Sequence, residues 1–357
     1  MAYQVDKEMR EKFIEQTGLT GDVFEYGDAS RSKVDTMFFT GADPWHRIGT
    51  KLDNPATAEE AIVAAGLDWE VEPVETYIWD RNGTNNGKPT GDYAIVRTDN
   101  SAIFTSGLSS RYKPLQNRDA FKFFDAVVGA GEAIYHTAGS LKGGRIVWIL
   151  AKMNGELGLE GDASEKYIML SNSHDGTRAI DMRFCVKRVI CMNTFKMAIG
   201  GNELNTRLRH TSGVMDRVNQ TRDLLGLSDA YFANFMKGME RLVDTRINKN
   251  IARAYFEDVL GVDTKKHDAE ISKRKQNIVD EIFALYNGAG RGSDLATSKF
   301  TAWGAFNAVS QYLEHDRPIR GLDAESLTAV DSRLTSSFFG SGARTESLAW
   351  DKALALV

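Results

Sequence analysis

The chain is poor in cysteine and has no long apolar run. Its two cysteines, Cys185 and Cys191, are too few for a disulfide framework or a four-ligand zinc site, and free thiols are typical of a reducing compartment. No segment approaches the roughly 18 apolar residues of a membrane span. The N-terminal residues also lack the apolar stretch of a signal peptide. We therefore expect a soluble, intracellular protein.

Sequence signatures of several enzyme classes are missing as well. The six histidines form no His-x-x-x-His or His-x-His pair, and there is no Cys-x-x-Cys, so no spacing supports a metal site. A Gly-x-x-x-x-Gly-Lys-[Ser/Thr] phosphate loop and a Gly-x-Ser-x-Gly elbow are absent too. We expect no cofactor, no catalytic residue and no ATP-driven activity.

Charge is unevenly distributed along the chain. The formal net charge is −5, from 44 Lys and Arg against 49 Asp and Glu, so strong global attraction to nucleic acid is not expected. Between Arg178 and His210, however, seven cations accompany two carboxylates. Such a local excess can hold phosphate groups by Coulomb attraction and directed donors. The alternative is that these cations solvate an outer face or pair with acidic helices.

Hydrophobic periodicity predicts the fold class. Segments of period two around residues 68–104 and 134–184 indicate two antiparallel β-meanders, and a three- and four-residue spacing between them indicates a helix that Asn117 can cap. Asp175-Gly176 is the strongest hairpin signal. The expected class is therefore α+β, with two antiparallel β-meanders separated by a helix, a βββα-like core, followed by an α-helical C-terminal region.

The segment after the Asp175-Gly176 turn carries much of the basic charge. In the strand expected at Ile180–Lys187, apolar residues alternate with charged residues and Cys185, so we expect a basic face toward solvent or ligand. Cys185 itself is more typical of a packing residue than of a nucleophile. A helix through Val189–Ile199 should follow. Asn193, near its start, could cap the turn or orient a phosphate oxygen.

Beyond residue 212 the spacing is helical. Phe232–Val243 and Phe300–Leu313 carry large apolar side chains at three- and four-residue intervals. Such a stripe is typical of a core face, and only an exposed remainder would make it an oligomer interface. The tail from Asp331 is rich in Ser and Gly and is expected to be loosely ordered until a last short helix.

Smaller signals help to set the domain limits. Thr57 precedes a short helix with Glu60 in capping-box register, and Gly66 can end it. The body of the protein is expected to begin near Met37. The predicted domains are an N-terminal arm (1–36), an α+β core with a basic face (37–212) and a helical C-terminal subdomain with a tail (213–357).

Six short motifs recur in a known family. They are Pro44-Trp45-His46-x-x-Gly49, Ala65-Gly66-Leu67-Asp68-Trp69, Gly139-Ser140-Leu141-x-Gly143-Gly144-Arg145, Ser173-His174-Asp175-Gly176-Thr177, Arg188-Val189-Ile190-Cys191-x-Asn193-Thr194 and Arg209-His210-Thr211. Through them the chain resembles, from about Met37 to its end, the phage/plasmid-like proteins that carry a widespread domain of unknown function. The resemblance implies a mobile-element gene product in a bacterial cytoplasm, without a settled activity or catalytic residues. In architecture alone, the expected core is similar to that of Red-beta/RecT-type single-strand annealing proteins.

These observations favour an ATP-independent, non-catalytic protein of a phage or plasmid. We expect it to bind and anneal single-stranded DNA as a ring or filament in recombination or replication, because annealing requires neutralised phosphates and exposed base edges. The residues expected to bind nucleic acid are Lys142, Arg145, Arg178, Arg183, Lys187, Arg188, Asn193, Lys196, Arg207, Arg209 and His210.

Two alternatives stay open. The first is a phage–host interaction protein that binds a host factor through its acidic surface and C-terminal helices. The second is a metal-dependent nuclease or phosphotransferase that uses scattered carboxylates with His46 or His174. Trp45-His46 is more typical of a turn anchored by a buried tryptophan, however, and Asp175 is explained by the hairpin tip where it stands.

Overall fold

The computed structural model describes residues 37–40, 50–52, 56–78, 88–128, 133–190, 193–195, 206–213, 216, 228–262, 269–322 and 326–357. The predicted N-terminal arm, the Trp45-His46 pair and the predicted phosphate contact Lys196 lie outside these residues.

The described strands form two sheets. They are β1 (Met37–Thr40), β2 (Thr50–Leu52), β3 (Val71–Ile78), β4 (Lys88–Arg97), β5 (Ile103–Leu108), β6 (Ala133–Leu141), β7 (Ile146–Leu159), β8 (Asp162–Ser173), β9 (Ile180–Arg188), β10 (Thr194–Phe195) and β11 (Thr206–Leu208). The larger sheet has the order β10-β9-β8-β7-β6-β1-β2, with β11 also paired to β9, and the smaller has the order β3-β4-β5. Strands β1 and β2 are parallel, whereas β6 is antiparallel to β1 and β7, and β9 is antiparallel to β10 and β11.

Two of the described helices lie between these strands in the sequence, and the others follow them. They are α1 (Ala58–Ala64), α2 (Asn117–Val128), α3 (Ser228–Asp244), α4 (Lys249–Val259), α5 (Ala269–Ala284), α6 (Ala302–Gln311), α7 (Leu327–Phe339) and α8 (Ser341–Leu354). One π-helical turn each follows α5 and α6. The predicted α+β class is confirmed, since β3–β5 form one meander, α2 follows, β6–β9 form the second, and the C-terminal region is helical. Among the described helices, none has the length and apolar character needed to cross a membrane.

The described residues group into two compact units that are not consecutive segments. The first unit contains the described parts of Met1–Asn154, Ile168–Arg183 and Asn205–Gly226. The second contains Gly155–Tyr167 and the described parts of Phe184–Leu204 and Leu227–Val357. Strands β7, β8 and β9 each supply residues to both units, which is why this grouping differs from the linear boundary expected at residues 212–213.

Local sequence signals explain the first unit well. The side chain of Thr57 accepts a hydrogen bond from the Glu60 backbone N–H, and the Glu60 side chain accepts one from the Thr57 backbone N–H, so the predicted capping box of α1 is confirmed. Gly66 ends this helix with a φ of 60°, as expected of a left-handed cap. In the core, the buried Tyr135 hydroxyl donates to the backbone carbonyl of Phe121 at 2.8 Å, so its hydrogen-bonding capacity is satisfied.

The second unit is built around aromatic rings of the C-terminal helices. The rings of Phe235 and Trp350 stack with centroids 5.4 Å apart, and the Phe306 ring packs edge-on against Trp350. Gly238 permits this approach, because a Cβ atom at that position would lie 2.6 Å from Cζ2 of Trp350. The aromatic spacing therefore correctly predicts core faces for α3 and α6, except that Phe300, the first residue of the second stripe, precedes α6 and is exposed.

The expected solvent-facing basic side of β9 is wrong. Cys185 and Lys187 are buried, and the Arg183 guanidinium pairs with Asp181. The Lys187 ammonium lies 5.9 Å from the ring centroid of Tyr167. Alternation of charged and apolar residues is typical of a strand with one face in solvent. The same alternation also arises in a strand buried on both faces, when its charged side chains form ion pairs or cation–π contacts.

Two further expectations are wrong. The residues described between β9 and β11 include no helix: the Arg188 N–H donates to the Asn193 carbonyl at 3.0 Å, and the chain returns as β10. The tail from Asp331 is not loosely ordered, since α7 and α8 occupy most of it. Its small residues serve a tight helix–helix turn, where the Gly342 N–H donates to Oγ of Ser336 at 3.1 Å.

The capping box provides a test of the first unit. Replacing Thr57 with Ala removes the hydrogen bond to the Glu60 N–H and should lower the free energy of unfolding by about 1 kcal/mol. Thr57→Ser keeps the hydroxyl and should cost only a few tenths of that, about 0.3 kcal/mol. Urea unfolding of both variants measures the difference, and equal losses would show that the cap does not stabilise α1.

Candidate nucleic-acid interface

Four loops meet at one end of the first unit. In an antiparallel meander every second turn lies at the same end of the sheet, which places the β6–β7 turn (142–145) beside the β8–β9 turn (174–179). Segment 206–213 contains β11, which is antiparallel to β9 and leads toward that end. Loop 109–116 follows β5 and reaches the same end of the larger sheet. We call these four segments together the loop surface.

Backbone hydrogen bonds tie these segments to one another. The His174 N–H donates to the Arg145 carbonyl at 2.8 Å, which joins the two turns of the larger sheet. The Lys113 N–H donates to the His210 carbonyl at 2.9 Å, which joins loop 109–116 to segment 206–213. Main-chain groups of four different segments thus hold the loop surface together.

A buried histidine lies beneath the loop surface. His174 is fully buried, and its ring contacts Trp69 edge-on at 5.3 Å and Phe104 at 6.0 Å between centroids. Its Nε2 lies 2.9 Å from Oδ1 of Asn117. The Asn117 amide donates in turn to the carbonyls of Leu67 and Trp69 at 3.0 and 3.3 Å. One polar contact thus connects the β8–β9 turn, α2 and the segment before β3.

The predicted capping role of Asn117 is therefore wrong. Asn117 is the first residue of α2, and its side chain points to Leu67, Trp69 and His174. With its amide nitrogen donating to two carbonyls, its Oδ1 must accept, so Nε2 of His174 carries the proton. Nδ1 of His174 is buried without a hydrogen-bond partner.

Burial holds His174 in its neutral form. Desolvation, together with nearby His210 and Arg97 and against the opposing effect of Asp175, lowers the pKa of His174 to about 3. A second proton would place a charged N–H among aromatic rings with no acceptor. A buried ring with this pKa cannot exchange protons with a solvent-borne substrate near neutral pH, which argues against the acid–base role considered for His174.

Tyr112 and His210 form a second aromatic contact at the loop surface. Their rings stack with centroids 4.9 Å apart, and the Tyr112 hydroxyl donates to the Ser173 carbonyl at 3.0 Å. His210 is itself buried, and burial lowers its pKa. His210 is a predicted phosphate contact, but it is buried and stacks on the Tyr112 ring instead. Asn172 adds a further tie by donating to the Leu115 carbonyl at 2.9 Å.

Asp175, at the β8–β9 turn, is held inside its own turn. Its Oδ1 accepts from the Thr177 N–H at 3.0 Å, from the Thr177 hydroxyl at 2.6 Å and from the Ser173 hydroxyl. Burial would raise the pKa of Asp175, but these hydrogen bonds and nearby Lys142 outweigh it, so its pKa lies below the ordinary value. The family motif that begins at Ser173 therefore forms an Asx-type turn in which His174 has a structural role.

The loop surface carries a large excess of positive charge. Apart from Asp175, its four segments contain no carboxylate, and they hold seven cationic residues. Four of these are exposed and three are half-buried. The exposed ones are Arg111, Lys113, Arg207 and Arg209, and the half-buried ones are Lys142, Arg145 and Arg178. Sequence reasoning missed Arg111 and Lys113, although the Arg-Tyr-Lys-Pro stretch between a strand and a helix interleaves cations with an aromatic residue.

Two of the half-buried cations differ in their roles. The Arg145 guanidinium donates to the carbonyls of Phe104, Lys142 and Ile103 at 3.1, 3.2 and 3.3 Å, so it fixes the turn. Lys142 stands at the tip of that turn with a φ of 56°. Left-handed backbone is uncommon for lysine, and such strain is concentrated at functional sites.

Arg188 lies in the second unit, within a fully buried ion pair. Its Nε and one terminal nitrogen donate to Oδ1 and Oδ2 of Asp162 at 2.6 and 2.7 Å, and it also donates to the Ser298 hydroxyl. Thr297 and Trp303 donate to the same carboxylate at 2.8 and 3.0 Å. Burial would raise the pKa of Asp162, but Arg188 and these donors hold it below the ordinary value. Arg188 is therefore occupied within the protein.

Asn193 is also occupied in the second unit. It is buried, donates to the Asn307 carbonyl at 3.3 Å, and has Oδ1 3.2 Å from Nε2 of His315. The family motif from Arg188 to Thr194 thus contributes to packing through both Arg188 and Asn193. Among the residues described in 37–357, no group of three His, Cys, Asp or Glu side chains is placed to hold a metal ion.

Comparison with known proteins identifies the family of the chain. A model of the domain of unknown function DUF932 matches residues 106–338, which is well over half of the chain, so the chain belongs to this family. No curated protein and no solved structure shows significant similarity. The matched range includes all four segments of the loop surface and the Asp162–Arg188 pair.

The buried ion pair provides a test with a matched control in the same unit. Asp162→Asn leaves the Arg188 guanidinium buried without its counter-charge and should cost about 3–5 kcal/mol. Asp258, whose side chain is 63% exposed, pairs with Lys352. Asp258→Asn breaks this surface pair and should cost less than about 1 kcal/mol. Urea unfolding compares the two. Similar small losses would show that the Asp162–Arg188 pair is not a structural constraint.

The neutral state of His174 predicts a pH dependence of stability. Its pKa is lower in the folded protein than in the unfolded chain, so between about pH 6.5 and 3 only the unfolded chain gains this proton. The free energy of unfolding should therefore fall as pH falls through this window. In His174→Gln the slope should be smaller by up to about 1.4 kcal/mol per pH unit. Parallel curves for the two proteins would contradict a buried neutral histidine.

Proposed function

We propose that this member of the DUF932 family binds single-stranded DNA through the loop surface, without catalysis and without ATP. The observation that supports the proposal is the meeting of seven cationic residues and a single, internally bonded carboxylate on four adjoining loops. Phosphate neutralisation supplies most of the affinity of sequence-independent binding, and it requires such a local excess rather than a basic protein.

The proposed phosphate contacts are a subset of those expected from the sequence, with additions. Arg207, Arg209, Lys113 and Arg111 are exposed, and Lys142 and Arg178 flank them. Arg145 fixes the β6–β7 turn and is a positioning residue. The proposal leaves out Arg183, Lys187, Arg188, Asn193 and His210, because their side chains are paired or buried.

A small cleft beside these cations suits a nucleobase. It has a volume of about 110 Å³ and lies between β4 and loop 109–116, where Tyr93, Tyr112 and Lys113 line it together with Ser109 and Ser110. An aromatic side chain next to a phosphate-binding cation is the usual arrangement of sequence-tolerant single-strand sites, since every base offers a face for stacking. Duplex DNA cannot present an unstacked base to this cleft, which favours single strands.

Annealing, assembly into rings or filaments, and action in the bacterial cytoplasm on behalf of a phage or plasmid are further parts of the proposal. They draw on the resemblance in sequence motifs and on the similarity of the meander–helix–meander order to single-strand annealing proteins. The loop surface is compatible with annealing, because neutralised phosphates allow a second strand to approach while base edges remain exposed.

Charge neutralisation at two exposed positions tests the proposal. Arg207→Gln combined with Arg209→Gln should weaken binding of a fluorescent oligothymidylate. The slope of log Kobs against log salt concentration should also become shallower by about 1.4, since each phosphate contact on a single strand contributes about 0.7. Fluorescence anisotropy over a salt series measures both changes.

Lys237→Gln, which removes one exposed cation from helix α3 of the second unit, is the matched control and should leave affinity and slope unchanged. The proposal fails if the wild-type protein does not bind, if binding is independent of salt, or if the control weakens binding as much as the double variant does.

A further inference from the structure

An aromatic side chain of the second unit stands outside the core. The sequence stripe places Phe300 with the core residues of α6, but Phe300 precedes that helix and is 41% exposed. Its φ of 58° lies in the left-handed region, which is a rare conformation for a bulky residue. Thr301 caps α6 by accepting from the Gly304 N–H at 3.0 Å.

The backbone around Phe300 explains its conformation but not its side chain. The Ile247 N–H donates to the Phe300 carbonyl at 3.0 Å, and the Ala302 N–H donates to the Thr245 carbonyl at 2.9 Å. The Arg246 guanidinium donates to the Lys299 carbonyl at 2.6 Å. These bonds would hold equally for glycine or asparagine, which adopt left-handed backbone more readily. The fold therefore requires a left-handed residue here but does not require an exposed phenyl ring.

The surroundings of the ring combine apolar and cationic groups. Phe300 and Ile251, which is 40% exposed, line an open groove of about 510 Å³ together with Arg246, Asn248 and Lys249. The Lys299 ammonium lies 6.0 Å from the Phe300 ring centroid. None of the described residues that line the groove is acidic. Helix α4 begins at this groove, so its N-terminal end adds positive potential.

We propose that this groove is a docking site for a partner-protein segment that combines acidic with apolar side chains. Aromatic and arginine side chains are enriched where a few residues carry most of an interface's affinity. An apolar side chain of the partner would cover Phe300 and Ile251, while its carboxylates would meet Arg246, Lys249 and Lys299. This site shares no residue with the loop surface, and the inference does not depend on DNA binding.

The combination of cationic and apolar groups in the groove selects this occupant over a nucleic acid. A nucleic-acid backbone would satisfy the cations but would leave Phe300 and Ile251 without apolar cover. A second copy of this chain could supply apolar surface, and self-association is therefore measured as an outcome that would overturn the proposal.

The experiment uses the full chain and a panel of fluorescent ten-residue peptides in which glutamate alternates with leucine and phenylalanine. Two matched panels replace glutamate with lysine, or replace the apolar residues with serine. Anisotropy titrations should show saturable binding of the acidic–apolar panel alone. Phe300→Asn should weaken it about tenfold or more, and so should Lys249→Glu combined with Arg246→Glu.

Thermal unfolding separates a docking role from a structural one. Asparagine tolerates the left-handed backbone, so Phe300→Asn should not lower Tm by more than about 2 °C. Loss of peptide binding with an unchanged Tm supports the proposal. It is overturned by absence of binding up to about 1 mM peptide, by equal binding of the basic or serine panels, by a large drop in Tm without a change in binding, or by light scattering that shows Phe300-dependent self-association.

Discussion

The contact between His174 and Asn117 is the constraint on which the loop surface depends. A turn at the end of a long hairpin is ordinarily a mobile place, yet here its histidine is fully buried and its backbone is bonded to the neighbouring turn. The neutral imidazole donates from Nε2 to Asn117, and the Asn117 amide donates to the Leu67 and Trp69 carbonyls. The Asn117 side chain thus links three parts of the first unit. Rigid loops lose less entropy when they bind a ligand, so the proposed binding of DNA would benefit from a structural histidine that does not itself touch the strand.

Burial, more than charge, decides what the cations of this chain do. Arg188 is in the segment with an excess of positive charge, but its guanidinium donates to Asp162 and Ser298, and removing Asp162 would leave an uncompensated charge. Arg207 and Arg209, in the same region of the sequence, are exposed. Within the described part of the positive segment, Lys187 and Arg188 are therefore buried in the second unit, whereas Arg207 and Arg209 of the first unit are exposed.

Local patterns were sufficient to predict the secondary structure that they directly encode. The Thr57–Glu60 capping box, the Asp175-Gly176 hairpin and the core stripe of α3 rest on neighbours within a few residues, and the structure confirms all three. The capping role of Asn117 failed because its partner His174 is distant in sequence. The basic face of β9 failed because Lys187 lies against Tyr167 and Arg183 pairs with Asp181. The helix after Arg188 failed because the chain pairs back onto β9 as β10. The same limit applies to the site, since only the fold brings Lys113 next to His210.

The most direct test of the loop surface as a binding site is amide hydrogen exchange of the full chain with and without saturating oligothymidylate. Slower exchange is expected in residues 109–116, 142–145, 174–179 and 206–213, with helices α3 to α8 unchanged. Saturated binding that leaves these four segments unprotected, or that protects only the C-terminal helices, would contradict it.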